Sequence, residues 1–206
     1  MAEYRQLLID GLAALGLPDD EDKLNKLIAF IELIAKWNKA YNLTAIRDKS
    51  EMASLHILDS LAILPHLHGQ SLIDIGTGAG LPAIPLAIYR PEMEFLLLDS
   101  NSKKTRFVQQ AILELKLKNA SVHHGRVEDF KTETGFDTIT CRAFASMENI
   151  MQLTAHLFSD NGILLAMKAQ QTNDELNKLK QNYQVISLKV PNIEAERCLI
   201  CIESKS

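Results

Sequence analysis

The stretch Leu72-Ile73-Asp74-Ile75-Gly76-Thr77-Gly78-Ala79-Gly80-Leu81-Pro82 decides the fold. The apolar run around Asp74 reads as a strand, the alternating glycines as a tight turn, and Pro82 as the start of a helix. Glycine reaches backbone conformations barred to other residues and lets a ligand approach the main chain closely. A helix beginning near Pro82 directs free amides and its positive dipole end into the same turn. Such a turn suits a nucleotide-like cofactor at the carboxyl ends of a parallel sheet.

The spacing of the glycines narrows the cofactor. A dinucleotide fingerprint, G-x-G-x-x-G, would place its third glycine on Leu81, so an oxidoreductase is the weakest reading. The D-x-G-x-G-x-G form, with Asp74 ahead of Gly76, Gly78 and Gly80, resembles the cofactor loop of S-adenosylmethionine (AdoMet) methyltransferases. A second strand, Phe95 to Leu98, ends on Asp99, an acid suited to accepting hydrogen bonds from both hydroxyls of a ribose. Asp99 also fits a helix cap, although Ser102 is available for that role.

The rest of the chain is patterned as an α/β protein. Strands are expected at Ser71–Ile75, Phe95–Asp99, Ala120–His124, Phe136–Cys141 and Gly162–Lys168, alternating with helices at Pro82–Tyr89, Ser102–Lys116, Ser146–Leu157 and Asn173–Lys180. This alternation implies a Rossmann-like, mostly parallel sheet. Two late strands, Tyr183–Lys189 and Arg197–Glu203, flank a turn at Pro191-Asn192-Ile193-Glu194, so the last strand is expected to run in reverse. Residues 1–68 form an N-terminal helical extension to a core of residues 69–206, the two making one compact unit. Within the extension, Leu24, Leu27, Ile28, Ile31, Ile34, Ala35 and Asn38 mark one helix, capped at Asp19-Asp20. Met52, Leu55, Leu58, Leu61 and Ala62 mark another over Ser50–Leu64.

Composition bounds the function. With 206 residues, 47% hydrophobic and 23% charged, the chain has the make-up of a globular protein with one sizeable core. No apolar stretch is long enough to span a bilayer and the first residues lack a secretion signal, so no membrane role and a cytoplasmic setting are expected. The three cysteines, Cys141, Cys198 and Cys201, do not make a disulfide framework. Cys198 and Cys201 have C-x-x-C spacing, but positions three apart on a strand face opposite sides, and no metal site is expected. The net charge of −4 gives no global footprint for nucleic acid, so a polyanion site must be local. Two segments qualify. One holds Lys36, Lys39, Arg47 and Lys49; the other holds Lys103, Lys104, Arg106, Lys116, Lys118 and Arg126 against Glu114 alone.

The loops after the third and fourth strands carry the remaining chemistry. Val127 and Glu128 stand where the fold borders an adenine ring, a place suited to an apolar cover and a backbone amide. After the fourth strand comes Cys141-Arg142-Ala143-Phe144-Ala145-Ser146, without the Asn-Pro-Pro-Tyr or Asp-Pro-Pro-Tyr tetrapeptide expected of an exocyclic-amine methyltransferase. Cys141 lacks a prolyl-cysteine context and reads as a small buried residue rather than a nucleophile. Methylation of a ring nitrogen such as guanine N7 needs no general base, because that nitrogen offers a free lone pair and carries no proton. Arg142 then serves to contact a phosphate, a base or the methionine carboxylate.

Several segments together resemble the bacterial 16S rRNA guanine-N7 methyltransferases of the glucose-inhibited division protein B group. They are Trp37-Asn38-Lys39-Ala40-Tyr41-Asn42-Leu43-Thr44, His56-Ile57-Leu58-Asp59-Ser60-Leu61, Asp74 to Pro85, Leu98-Asp99-Ser100, and Arg142 to Ser146. The resemblance covers essentially the whole chain, and departs from the family pattern at Ala83, usually glycine, and Cys198, commonly histidine. It implies AdoMet as methyl donor and a guanine in the decoding region of 16S rRNA in the small ribosomal subunit as acceptor. It implies that Gly76, Leu81, Val127, Glu128 and Arg142 line the AdoMet site, with Asp74, Gly78, Gly80 and Asp99 as further loop and ribose candidates. Arg142 and Lys168 position the substrate, with no general base, and Arg47, His56, Lys103, Lys104, Arg106, Lys168 and Arg197 are candidates for RNA contact. No obligate protein partner is evident and a monomer is expected. Two pairs remain open: His56 and Asp59 as pocket mouth or helix dock, and Trp37 and Tyr41 as core anchor or base platform; His123-His124 read as structural. Two other readings also stand beside the RNA enzyme: a small-molecule AdoMet methyltransferase and a non-catalytic AdoMet-binding regulator.

Overall fold

Helices α1 (Glu3–Ala14) and α2 (Glu21–Tyr41) open the chain. The computed structural model describes residues 3–142, 146–169, 176, 179 and 181–204. Asp20 caps α2 as its spacing predicts, its carboxylate accepting from the Lys23 amide at 3.1 Å. At the other end Asn42, with φ +50°, stops the helix and returns its amide to the Asn38 carbonyl.

The helix expected over Ser50–Leu64 is interrupted. It runs as α3 (Lys49–Met52), a π-helical segment over Ala53–Leu58, and α4 (Asp59–Leu61). The Asp59 amide bonds back to Ser54, five residues away, which marks the wider turn. A regular apolar stripe hides such a register change, because the periods of the two helices differ little over six residues.

Seven strands follow: β1 (Ser71–Ile75), β2 (Glu94–Asp99), β3 (Ala120–His124), β4 (Phe136–Arg142), β5 (Phe158–Lys168), β6 (Tyr183–Leu188) and β7 (Arg197–Glu203). They form one sheet in the order β3-β2-β1-β4-β5-β7-β6. The first five pair in parallel, while β7 lies antiparallel to both β5 and β6. The expected reversal of the last strand is thus present, and the β6–β7 connection turns at Asn192 with φ +62°. Strand β5 begins four residues earlier than the sequence implies. Ser159-Asp160-Asn161-Gly162 has turn chemistry, but Asp137 on β4 holds the Ser159 hydroxyl at 3.0 Å beside a break in the ladder register.

Helices α5 (Ala83–Tyr89), α6 (Ser102–Glu114) and α7 (Met147–Thr154) cover the sheet. Alternate residues of β1 serve the two faces: Leu72 joins Leu27, Phe30, Ile84 and Phe107 on one side, and Ile73 joins Ile139, Met147 and Ile150 on the other. The N-terminal helices share the first of these cores, with α2 packed on α5 and α6. Phe107 of α6 lies between Phe30 and Trp37, at ring distances of 6.3 and 5.8 Å. Trp37 also meets Tyr41 at 4.9 Å, so both aromatics pack against the core. The helix expected at Asn173–Lys180 lies outside the described residues except at Leu176 and Leu179.

The chain runs outward from β1 to β3, then crosses back to β4. This reversal opens a crevice at the carboxyl ends of β1 and β4, where ligands of open α/β sheets bind.

Candidate active site

The glycine turn is built as its spacing predicts. Gly76, Gly78 and Gly80 have φ of +65°, +60° and +78°, a region that side chains disfavour, which explains the alternation with Thr77 and Ala79. The turn is anchored to β2 twice. The Thr77 amide donates to the Leu98 carbonyl at 3.0 Å, and the Gly78 amide donates to Asp99 Oδ2 at 2.9 Å. Asp99 Oδ1 accepts from the Asn101 amide at 2.8 Å. Asn101, rather than Ser102, caps α6, taking the Lys103 and Lys104 amides. Asp99 therefore joins the first loop to the second.

These loops enclose a cleft of about 350 Å³. It brings together Gly76, Asp99, Val127, Glu128 and Arg142 from the sequence reading with Lys104, a residue expected at the RNA, and adds Ser100, Arg126 and Leu153. The other loop candidates do not line the cleft. Leu81 and Gly80 are buried in the turn into α5, and Gly78 is held by Asp99. Asp74 is fully buried in the sheet, bonded through Oδ1 to the Thr140 hydroxyl of its register partner at 3.0 Å. Burial pushes its carboxyl up to about 7, against the hydroxyls of Thr77 and Thr140. An acid buried this way supports the loop from below and does not reach a ligand in the cleft.

Arg142, at the end of β4, also lines a second, smaller pocket of about 110 Å³ with Asp59, Met167, Lys168, Arg197 and Cys198. Asp59 Oδ1 accepts from Arg197 Nε at 3.1 Å, and Oδ2 stands 3.7 Å from the Arg142 guanidinium. Burial raises the Asp59 carboxyl, while the charges of Arg142 and Arg197 draw it down. Lys168 and Cys198 face each other across the β5–β7 ladder, the Cys198 thiol 3.7 Å from the Lys168 carbonyl. The pairing of Asp59 with Arg197 spans 138 residues, and no local pattern could announce it.

His56, a candidate for RNA contact with a helix dock as its other reading, is buried against Thr44. It is 4% exposed, its Nε2 is 3.0 Å from the Thr44 hydroxyl, and burial followed by the Arg142 charge lowers its pKa to about 4. Thr44 is itself fixed by Asn38, whose buried amide bonds the Thr44 amide and the Thr44 and Ile46 carbonyls. The polar Trp37–Thr44 stretch thus closes the loop that docks the π-helical segment. Arg47 is exposed but donates to the Asn38 carbonyl and the Asn42 side chain, at the end of α2. Lys103 and Arg106 are exposed on α6, outside both pockets. His123 and His124 are exposed on β3, one against Phe130 and the other 3.1 Å from the Ser100 carbonyl.

Cys141 is wholly buried, and its thiol is pushed up to about 12 by burial and then by Asp74, which suits packing rather than attack. All three cysteines are free, and among the described residues no His, Cys, Asp and Glu cluster could hold a metal ion. Ala143, Phe144 and Ala145, which complete the motif after Arg142, lie outside the described residues.

A family model described as GidB, rRNA small subunit methyltransferase G, matches residues 23–199. The chain belongs to this family. A ribosomal RNA small subunit methyltransferase G of Hydrogenovibrio crunogenus is 52% identical over 191 residues, covering 91% of this chain and 88% of the relative. One from Shigella dysenteriae is 45% identical over 192 residues, covering 92% and 93%. Similar folds include a putative O-methyltransferase from Klebsiella pneumoniae (TM-score 0.61, 12% identity, 99% and 98% covered). They also include TYW2 of M. jannaschii in complex with AdoMet (TM-score 0.55, 15% identity, 71% and 74% covered). GidB membership agrees with the resemblance drawn from the N-terminal, glycine-loop and Arg142 segments. Among the described residues no helix is long and apolar enough to cross a membrane.

Proposed function

We propose that this chain transfers the methyl group of AdoMet to N7 of a guanine in small-subunit ribosomal RNA. Family membership supports the RNA acceptor, and the cleft supports the donor. Gly76 would let a ligand approach the main chain, Asp99 keeps oxygen lone pairs for ribose hydroxyls, and Val127, only 7% exposed, offers an apolar wall beside Glu128. AdoMet supplies an electrophilic methyl on a sulfonium, so the acceptor needs an aligned lone pair and little else.

The observation that carries the N7 reading is the junction at Arg142. It lines both the cofactor cleft and the second pocket, and three titratable groups beside it are poorly suited to act as bases or nucleophiles. Cys141 holds its proton up to about 12, His56 is buried with its pKa at about 4, and Asp59 is committed to two guanidiniums. A guanine N7 asks for none of them. Arg142 and Lys168 would then position the acceptor, with Lys103, Lys104, Arg106 and Arg47 as basic candidates for RNA contact. We further propose a monomer acting in the cytoplasm, which light scattering and cell fractionation would check. The deciding experiment supplies labelled AdoMet and undermethylated small subunits, then maps the modified base. Label on a guanine, released by cleavage specific for N7-methylguanine, is expected; label on an exocyclic amine or on no RNA would overturn the reading.

A further inference from the structure

The second pocket has a feature that methyl transfer alone does not require. Two guanidiniums from different parts of the chain, Arg142 and Arg197, meet one carboxylate, Asp59. The Asp59 side chain is 6% exposed, against 17% for Arg197 and 37% for Arg142. Even with Lys168 left aside, two positive charges against one negative leave an excess positive charge at the pocket wall. Without the carboxylate the guanidiniums would repel and their long side chains would sample many rotamers. With it, both are held before any ligand arrives.

Resting on the functional reading above, we propose that Asp59 is a positioning residue that presets Arg142 and Arg197 as a two-pronged clamp for a phosphodiester of the acceptor RNA. Three observations favour a phosphodiester over the other anion and over a base. Arg197 lines the second pocket but not the cofactor cleft, so it is placed away from the donor's own carboxylate. At about 110 Å³ the pocket is a third the size of the cleft, a space for a small anionic group rather than a nucleoside. Both Asp59 oxygens face cations, so the carboxylate does not read a guanine edge. Planar forks holding two oxygens of one phosphate are the arrangement for which arginine is suited. The π-helical segment contributes by delivering Asp59 from the N-terminal extension to a site otherwise made by β4, β5 and β7.

The test compares Asp59→Asn, Arg197→Gln and Arg197→Lys with the unaltered protein. It measures AdoMet Kd by calorimetry, kcat and KM for undermethylated small subunits, and the salt dependence of subunit binding. Asp59→Asn and Arg197→Gln should raise KM for the subunit about tenfold, while AdoMet Kd in the Arg197→Gln protein stays within about threefold. Arg197→Gln should also lower the slope of log affinity against log salt by about one. Arg197→Lys should restore that slope without restoring full affinity, since a point charge replaces the fork. AdoMet affinity falling in step with subunit affinity in the Arg197→Gln protein would assign the pair to the donor's carboxylate and overturn the proposal. So would unchanged subunit binding and salt slope in the Arg197→Gln protein. Arg197→Gln, at the pocket wall, carries the test should Asp59→Asn not fold. An unaltered protein that methylates no guanine would defeat the functional reading instead, which the variants leave separate.

Discussion

Two acids of the cofactor region show how environment divides one chemistry into two roles. Asp74 is sealed in the sheet, and burial pushes its carboxyl up to about 7 from an ordinary 3.8. The fold therefore binds this proton more tightly than the unfolded chain does. Its contribution to stability is complete below the unfolded value and is lost as pH rises through about 7. The difference in unfolding free energy between the wild type and Asp74→Asn should fall between pH 4 and 7 and level off above, as followed by denaturant titration at each pH. Asp99 instead keeps a wall position and takes an amide on each side of the cleft. Asp99→Ala should raise AdoMet Kd at least about tenfold, by calorimetry, while costing about 1–3 kcal/mol of stability. The sequence showed both acids but not their difference. Asp99 ends its strand in view of the ligand, whereas Asp74 has its partner, Thr140, 66 residues away on a strand whose register no local pattern states.

At the scale of elements, the packing of α2 on α6 is the joint between the extension and the sheet. Phe107 is fully buried there between Phe30 and Trp37. Phe107→Ala should cost about 3–5 kcal/mol, seen as a lowered denaturant midpoint with an unchanged m-value. Most elements were legible because their signals are local: alternating apolar runs for β1 to β4, the Asp20 cap for α2, and the Asn192 turn before β7. The π-helical segment was not legible, since an apolar stripe fits both helix types over so few residues. The first residues of β5 were also missed, because Ser159 and Asn161 have turn chemistry that the long-range bond to Asp137 overrides. Nor did the spacing name Asn101 as the cap of α6, since Ser102 fits the same rule.

For the whole molecule, we propose that residues 1–68 and 69–206 behave as one folding unit. Leu8, Leu27 and Phe30 share a core with Leu72, Phe107 and Leu165, so separating the segments would expose apolar surface on both. Heating followed by tryptophan fluorescence, which reports Trp37, and by far-ultraviolet circular dichroism should give coincident transitions. A fluorescence transition well below that of the sheet would refute the proposal. The candidate site was legible only as far as each contribution stood on one motif. The glycine turn, Asp99, Val127, Glu128 and Arg142 could be picked out because each closes a strand or follows one within a few residues. The convergence of Asp59, Arg142 and Arg197 is a product of tertiary structure.

The antiparallel placement of β7 has a consequence for how the chain is made. Synthesis delivers β6 before β7, yet β7 belongs between β5 and β6. Until residues 197–203 leave the ribosome, β5 has no neighbour on that side, and β6 has no place in the sheet. Arg197 arrives on that same strand. The second pocket, lined by Arg197 and Cys198 of β7, therefore cannot be complete until β7 is inserted between β5 and β6. The pocket proposed for the acceptor is thus closed only by the strand that carries Arg197.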